Sequence, residues 1–107
     1  MKILLDESVP VQVGKALQNH EVFTVRQMDW SGFSNGDLLT AAEREGFDAL
    51  IVADKNLRYQ QNLSNWRLAI LELWTNHRPT LELYLSGIRA AIEGLSPGEY
   101  RALEGPQ

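Results

Sequence analysis

Apolar positions along the chain follow two alternating periods. Ile3-Leu4-Leu5 is a continuous apolar run, the pattern of a strand buried on both faces. Ser8 and Pro10 then mark a helix start, and Val9, Val13, Ala16 and Leu17 recur at helical spacing. Glu21 to Val25 reads as a second strand, and Met28 to Phe33 as a loop carrying Trp30 and Gly32. Ser34 opens a second helix with Asp37 three residues on, close to a capping box. Leu38, Leu39, Ala41 and Ala42 form its apolar face, and Gly46 ends it. Ala49-Leu50-Ile51-Val52 is the most strand-like run, followed directly by Ala53 and Asp54. Asn56 to Leu63 reads as a short helix or turn, and Leu68 to Leu71 as a further strand. Thr80 is expected to cap one long final helix with the stripe Leu81, Leu85, Ile88, Ile92 and Leu95. A short last strand follows around Tyr100 to Leu103.

Strands alternating with helices predict an α/β fold: one three-layer domain over residues 1–104, with helices on both faces of a mostly parallel sheet. Residues 105–107 read as a frayed tail. In such sheets the functional site lies beyond the carboxyl ends of the strands, where strand order reverses. Asp6 follows strand one and Asp54 follows strand three. A parallel order 2-1-3-4, with the last short strand at an edge, brings these two carboxylates together.

Composition narrows the chemistry. The chain has 107 residues and no cysteine, which removes thiolate zinc sites, thiol nucleophiles and disulfides and fits a cytoplasmic protein. The net charge of −4 argues against a general nucleic-acid coat. It leaves a nuclease open, because a metal site built of acids is itself negative. No apolar run approaches the ~20 residues of a membrane span, and no signal peptide is read at Met1-Lys2.

Hard cations such as Mg²⁺ and Mn²⁺ take carboxylate, water and phosphate oxygens. Asp6, Asp37 and Asp54 are the candidate ligands and catalytic residues. Each also has a plainer reading: Asp6 and Asp54 as caps of the turns that follow, Asp37 as part of the Ser34 capping box. Glu43, Glu45, Glu82 and Glu93 read as solvent-facing, and His20 and His77 have no partner at ligand spacing. Gln60 and Gln61, with Asn62, form an amide run that could line a nucleic-acid groove, and Arg58, Arg67 and Arg78 are scattered candidates for phosphate contact. Trp30 is the best interface candidate.

The opening Met1-Lys2-Ile3-Leu4-Leu5-Asp6-Glu7-Ser8-Val9-Pro10 resembles that of a small bacterial PIN-like family of unknown function, related to VapC-type toxin ribonucleases. Asn35-Gly36-Asp37-Leu38-Leu39 with Ala41-Ala42-Glu43 resembles the family's second block, and Asp48 to Leu57 its third. Tyr59-Gln60-Gln61-Asn62-Leu63 is similar to one subgroup. The resemblance implies a PIN-like fold and Mg²⁺- or Mn²⁺-dependent cleavage of RNA. Asp6 matches the first acid and Asp54 the last, with Glu7, Asn35 and Asn56 as supporting candidates. It also implies a small antitoxin as protein partner, and a homodimer is a further expectation. Three departures stand out. Val52 replaces an expected Thr, Asn35 stands where many relatives have Asp, and no match is found for a middle-helix acid of larger PIN domains. Two other functions compete: a degenerate, non-catalytic PIN-like binding module, and a receiver-like phosphoacceptor at Asp54.

Overall fold

Ile3, Leu4 and Leu5 are all buried, and so are all four residues of Ala49–Val52. Such runs can lie only inside a sheet covered on both sides. The computed structural model describes residues 1–53 and 66–105. Its strands are β1 (Lys2–Leu5), β2 (Glu21–Thr24), β3 (Ala49–Val52), β4 (Ala69–Leu73) and β5 (Tyr100–Leu103). They form one sheet in the order β2-β1-β3-β4-β5, and every pairing is parallel. The predicted strand order is therefore found, with β5 at the edge beside β4.

Alternation along the strands divides the core in two. Ile3, Leu5, Ala49, Ile51, Ala69 and Leu71 face one layer, made by the segment Val11–Leu17 and the helices α2 (Arg78–Glu82) and α3 (Leu85–Glu93). Leu4, Leu50, Val52 and Ile70 face the other, made by α1 (Asn35–Arg44) with Phe47, Trp30 and Trp66. This is the expected three-layer arrangement. Among the described residues no helix is long and apolar enough to cross a membrane.

Two helical expectations change. Val11–Leu17 is a 3₁₀ helix, not an α-helix, although Val13 and Leu17 are buried as the spacing requires. It is short, β-branched at Val11 and Val13, and has Gly14 at its centre, all of which weaken an α-helix. A Cβ at Gly14 would lie 3.3 Å from Val22 Cγ1 and 3.4 Å from Leu5 Cδ1, so the residue lets this segment approach the sheet. The long final helix is two helices. The break falls at Leu83-Tyr84, where Tyr84 has φ −126° and Leu83 points to solvent. Thr80 lies inside α2, and the N-cap is His77, whose Nδ1 is 2.9 Å from Thr80 Oγ1.

Glu43 also differs from its expected role on a solvent face. Its carboxylate accepts the backbone N–H groups of Arg67 and Leu68 at 3.1–3.2 Å and ties α1 to the chain entering β4. Arg78 pairs with Glu82 at 3.3 Å. Gly105, expected in the tail, packs against Trp74: a Cβ there would lie 2.4 Å from the indole nitrogen.

Candidate functional site

A parallel sheet sends all its carboxyl ends to one side. Asp6, Glu7 and Ser8 follow β1 there, Val25 and Arg26 follow β2, and Ala53 follows β3. α1 connects β2 to β3, so its amino end also lies on this side, with Ser34, Asn35 and Asp37.

Asp6 is half-buried and continues the β1–β3 ladder, its N–H donating to Ile51 O at 3.0 Å. The chain then turns sharply, Val9 N–H donating back to Asp6 O at 2.9 Å. This turn brings Ser8 under the Asp6 side chain. Oδ2 accepts the Ser8 hydroxyl at 2.6 Å and the Ser8 N–H at 3.1 Å. The same hydroxyl accepts the N–H of Ala53 at 3.0 Å. One serine thus fixes the first carboxylate and links it to the residue that precedes Asp54 in sequence. Oδ1 of Asp6 receives no hydrogen bond among the described residues. Glu7 is exposed beside it.

Asp37 stands exposed in the first turn of α1. Its backbone N–H donates to Ser34 Oγ at 3.2 Å, which completes the cap expected of Ser34 and leaves the carboxylate outside it. Asn35 is half-buried at the first helical position. Asp54, Asn56, Arg58, Gln60 and Gln61 lie outside the described residues. Among those described, no three His, Asp or Glu side chains gather in a metal-holding group.

Sequence reasoning missed two residues near this end. Ser8 reads as a helix start, and nothing local announces a hydrogen bond to Ala53, 45 residues away. Among the described residues Glu72 is the buried charged side chain of the core, 2% exposed, beside Val52 in register. It accepts the Tyr100 hydroxyl, which joins β4 to β5. The available signal was a glutamate inside the apolar run Leu68 to Leu73, where a solvent face is absent.

Arg67 and Lys2 belong to the opposite end. Lys2 Nζ donates to Glu45 O at 2.8 Å and lies 4.6 Å from the centre of the Phe47 ring. A cavity of about 460 Å³ at that end is lined by Glu43, Asp48, Arg67 and Ser96 among others. A smaller one, about 230 Å³, lies at the carboxyl ends of β1 and β2 and includes Asp6, Glu7, Thr24 and Arg26.

Comparison with known proteins gives no match: no protein-family model, no curated protein and no solved structure corresponds to this chain.

Proposed function

We propose that this protein is a Mg²⁺- or Mn²⁺-dependent endoribonuclease of PIN-like type, acting on RNA phosphodiesters at the carboxyl end of its sheet. The observation that carries the reading is the state of the Asp6 carboxylate. One oxygen is held by Ser8, and the other has no donor among the described residues. That is the condition of a carboxylate pre-oriented for a cation. The donor chemistry suits a hard ion, because the groups gathered here are oxygens and there is no cysteine in the chain.

Asp6 would hold the metal together with Asp54, which follows Ala53, and Asp37 would reach it from the first turn of α1. Mg²⁺ needs only one or two carboxylates when waters and substrate phosphates complete its shell. The bound ion would polarise the phosphodiester and lower the pKa of an attacking water. Ser8 positions Asp6, and the β1 turn positions Ser8. A small antitoxin-type protein is the proposed partner, and the cytoplasm the proposed compartment.

The test is a pair of measurements on purified protein free of any bound partner. Mn²⁺ should bind, and single-stranded RNA should be cut with Mg²⁺ or Mn²⁺ but not with Ca²⁺. Asp6→Asn should abolish both. If wild-type protein takes up no Mn²⁺ and cuts no RNA of varied sequence, the nuclease reading is wrong and a non-catalytic module replaces it.

A further inference from the structure

RNA is a polyanion, and the chain carries a net charge of −4. With Asp6 and Glu7 at the candidate site, a strand approaching it meets local repulsion unless a cation stands nearby. Most described cations are committed or remote. Lys2 is engaged at the amino end, and Arg78, Arg89 and Arg101 pair with Glu82, Glu93 and Glu99. Arg44 ends α1, and Arg67 precedes β4, both on the amino side of the sheet.

Arg26 is different. It lies two residues beyond the end of β2, is exposed, and makes no ion pair among the described residues. It lines the cavity of about 230 Å³ that also contains Asp6. Besides Asp6 and Arg26 its lining has the Glu7 carboxylate, the Thr24 hydroxyl and an apolar wall of Leu5, Val9, Val11 and Val25, so Arg26 is the cation that offsets the two acids there. The cavity is smaller than the roughly 300 Å³ at which sites for whole small ligands begin. A hollow of this size takes part of a polymer: a sugar against apolar wall, a phosphate against guanidinium.

We infer that the cavity between the ends of β1 and β2 is a backbone subsite for single-stranded RNA, with Arg26 as the residue that binds a phosphate next to the Asp6 site. This rests on the nuclease reading above. Guanidinium suits the role because its planar fork can meet two phosphate oxygens at once. A phosphate contact positions the strand without reading its bases, so the subsite favours no sequence.

The experiment measures binding and not cleavage. A fluorescent single-stranded oligoribonucleotide is titrated in Ca²⁺ across a salt series, using wild type, Arg26→Gln and Arg67→Gln. Arg67→Gln removes the same charge at the far end of the sheet. Mn²⁺ binding is measured separately without RNA. Arg26→Gln should weaken RNA binding about tenfold for every sequence and flatten the salt slope by about 0.7, the loss of one single-strand phosphate contact. Its Mn²⁺ affinity should not fall, and Arg67→Gln should bind RNA nearly as wild type does. Equal losses in the two variants, or none in either, overturn the subsite and leave the nuclease reading standing. RNA binding by wild type without Mn²⁺ uptake overturns the nuclease reading, while the comparison of variants still decides Arg26. Absence of any RNA binding by wild type overturns both.

Discussion

The hydroxyl of Ser8 donates to Asp6 Oδ2 at 2.6 Å and accepts the N–H of Ala53 at 3.0 Å, so the end of β1 is bolted to the end of β3 through one side chain. Ser8→Ala removes both bonds and leaves a half-buried backbone donor without its partner. Urea unfolding should show a loss of about 1–2 kcal/mol. Mn²⁺ affinity should fall by about 10- to 100-fold, as when an outer-shell partner is removed from a metal ligand. Ser8→Thr keeps the hydroxyl and should recover most of both.

Asp6→Asn should separate the site from the scaffold. The amide oxygen can still accept both Ser8 bonds, so the turn survives and the melting temperature should hold or rise. Metal binding and RNA cleavage should both disappear. Loss of the fold with unchanged metal affinity in the folded fraction would instead make Asp6 a turn cap.

Asp37 and Ser34 have separable roles because the cap uses Asp37 only through its backbone N–H. Ser34→Ala should cost about 0.5–2 kcal/mol in thermal or urea unfolding. Asp37→Asn should cost little stability. A large fall in cleavage by Asp37→Asn places its carboxylate at the metal, whereas unchanged cleavage confines it to the helix dipole.

Acid stability should carry the signature of Glu99. Its carboxyl accepts the Ser96 N–H at 2.9 Å and two bonds from Arg101; the Ser96 bond does most to hold it below the usual carboxylate range, burial opposes this, and the Arg101 hydrogen bond and charge add to the lowering. A lowered folded value stabilises above the unfolded carboxylate value, near 4.5, and that stabilisation is lost as pH falls through the folded value. Melting curves from neutral pH into the acid range should therefore fall more steeply for wild type than for Glu99→Gln.

His20 has both ring nitrogens buried with no hydrogen-bond partner among the described residues. Unmet polar atoms of this kind cost about 1–3 kcal/mol, so His20→Leu should raise stability by about 1 kcal/mol once packing losses are included. Chemical denaturation at neutral pH measures it. A stability loss would mean that the imidazole contributes through contacts a leucine cannot reproduce.

The sequence made the central strands legible because both of their faces are apolar. Ile3-Leu4-Leu5 and Ala49-Leu50-Ile51-Val52 admit no solvent face, and the expectation that Asp6 meets Asp54 set β1 beside β3, where it is found. Less could be read where helical spacing was satisfied by more than one backbone. Val13 and Leu17 are buried equally well by a 3₁₀ segment, and the stripe from Leu81 to Leu95 survives a break at Leu83-Tyr84. Periodicity reports which face a residue occupies and is silent about the chain path between contacts. For the same reason Asp6 could be placed, but its tie to Ser8 and Ala53 could not. Glu72 escaped notice because charge inside a strand is ordinarily read as a solvent face.

The parallel order of the sheet also governs how it can be assembled. β1 lies between β2 and β3, and none of its neighbours is reached by a hairpin. Ile3, Leu4 and Leu5 therefore remain without strand partners until Glu21–Thr24 and Ala49–Val52 have been brought alongside through long crossovers. Such non-local pairing pays loop-closure entropy before any contact rewards it, which slows folding and leaves an apolar segment open to aggregation. Substitutions that weaken the β1–β3 pairing should thus reduce the refolding yield of this chain more than its equilibrium stability would suggest.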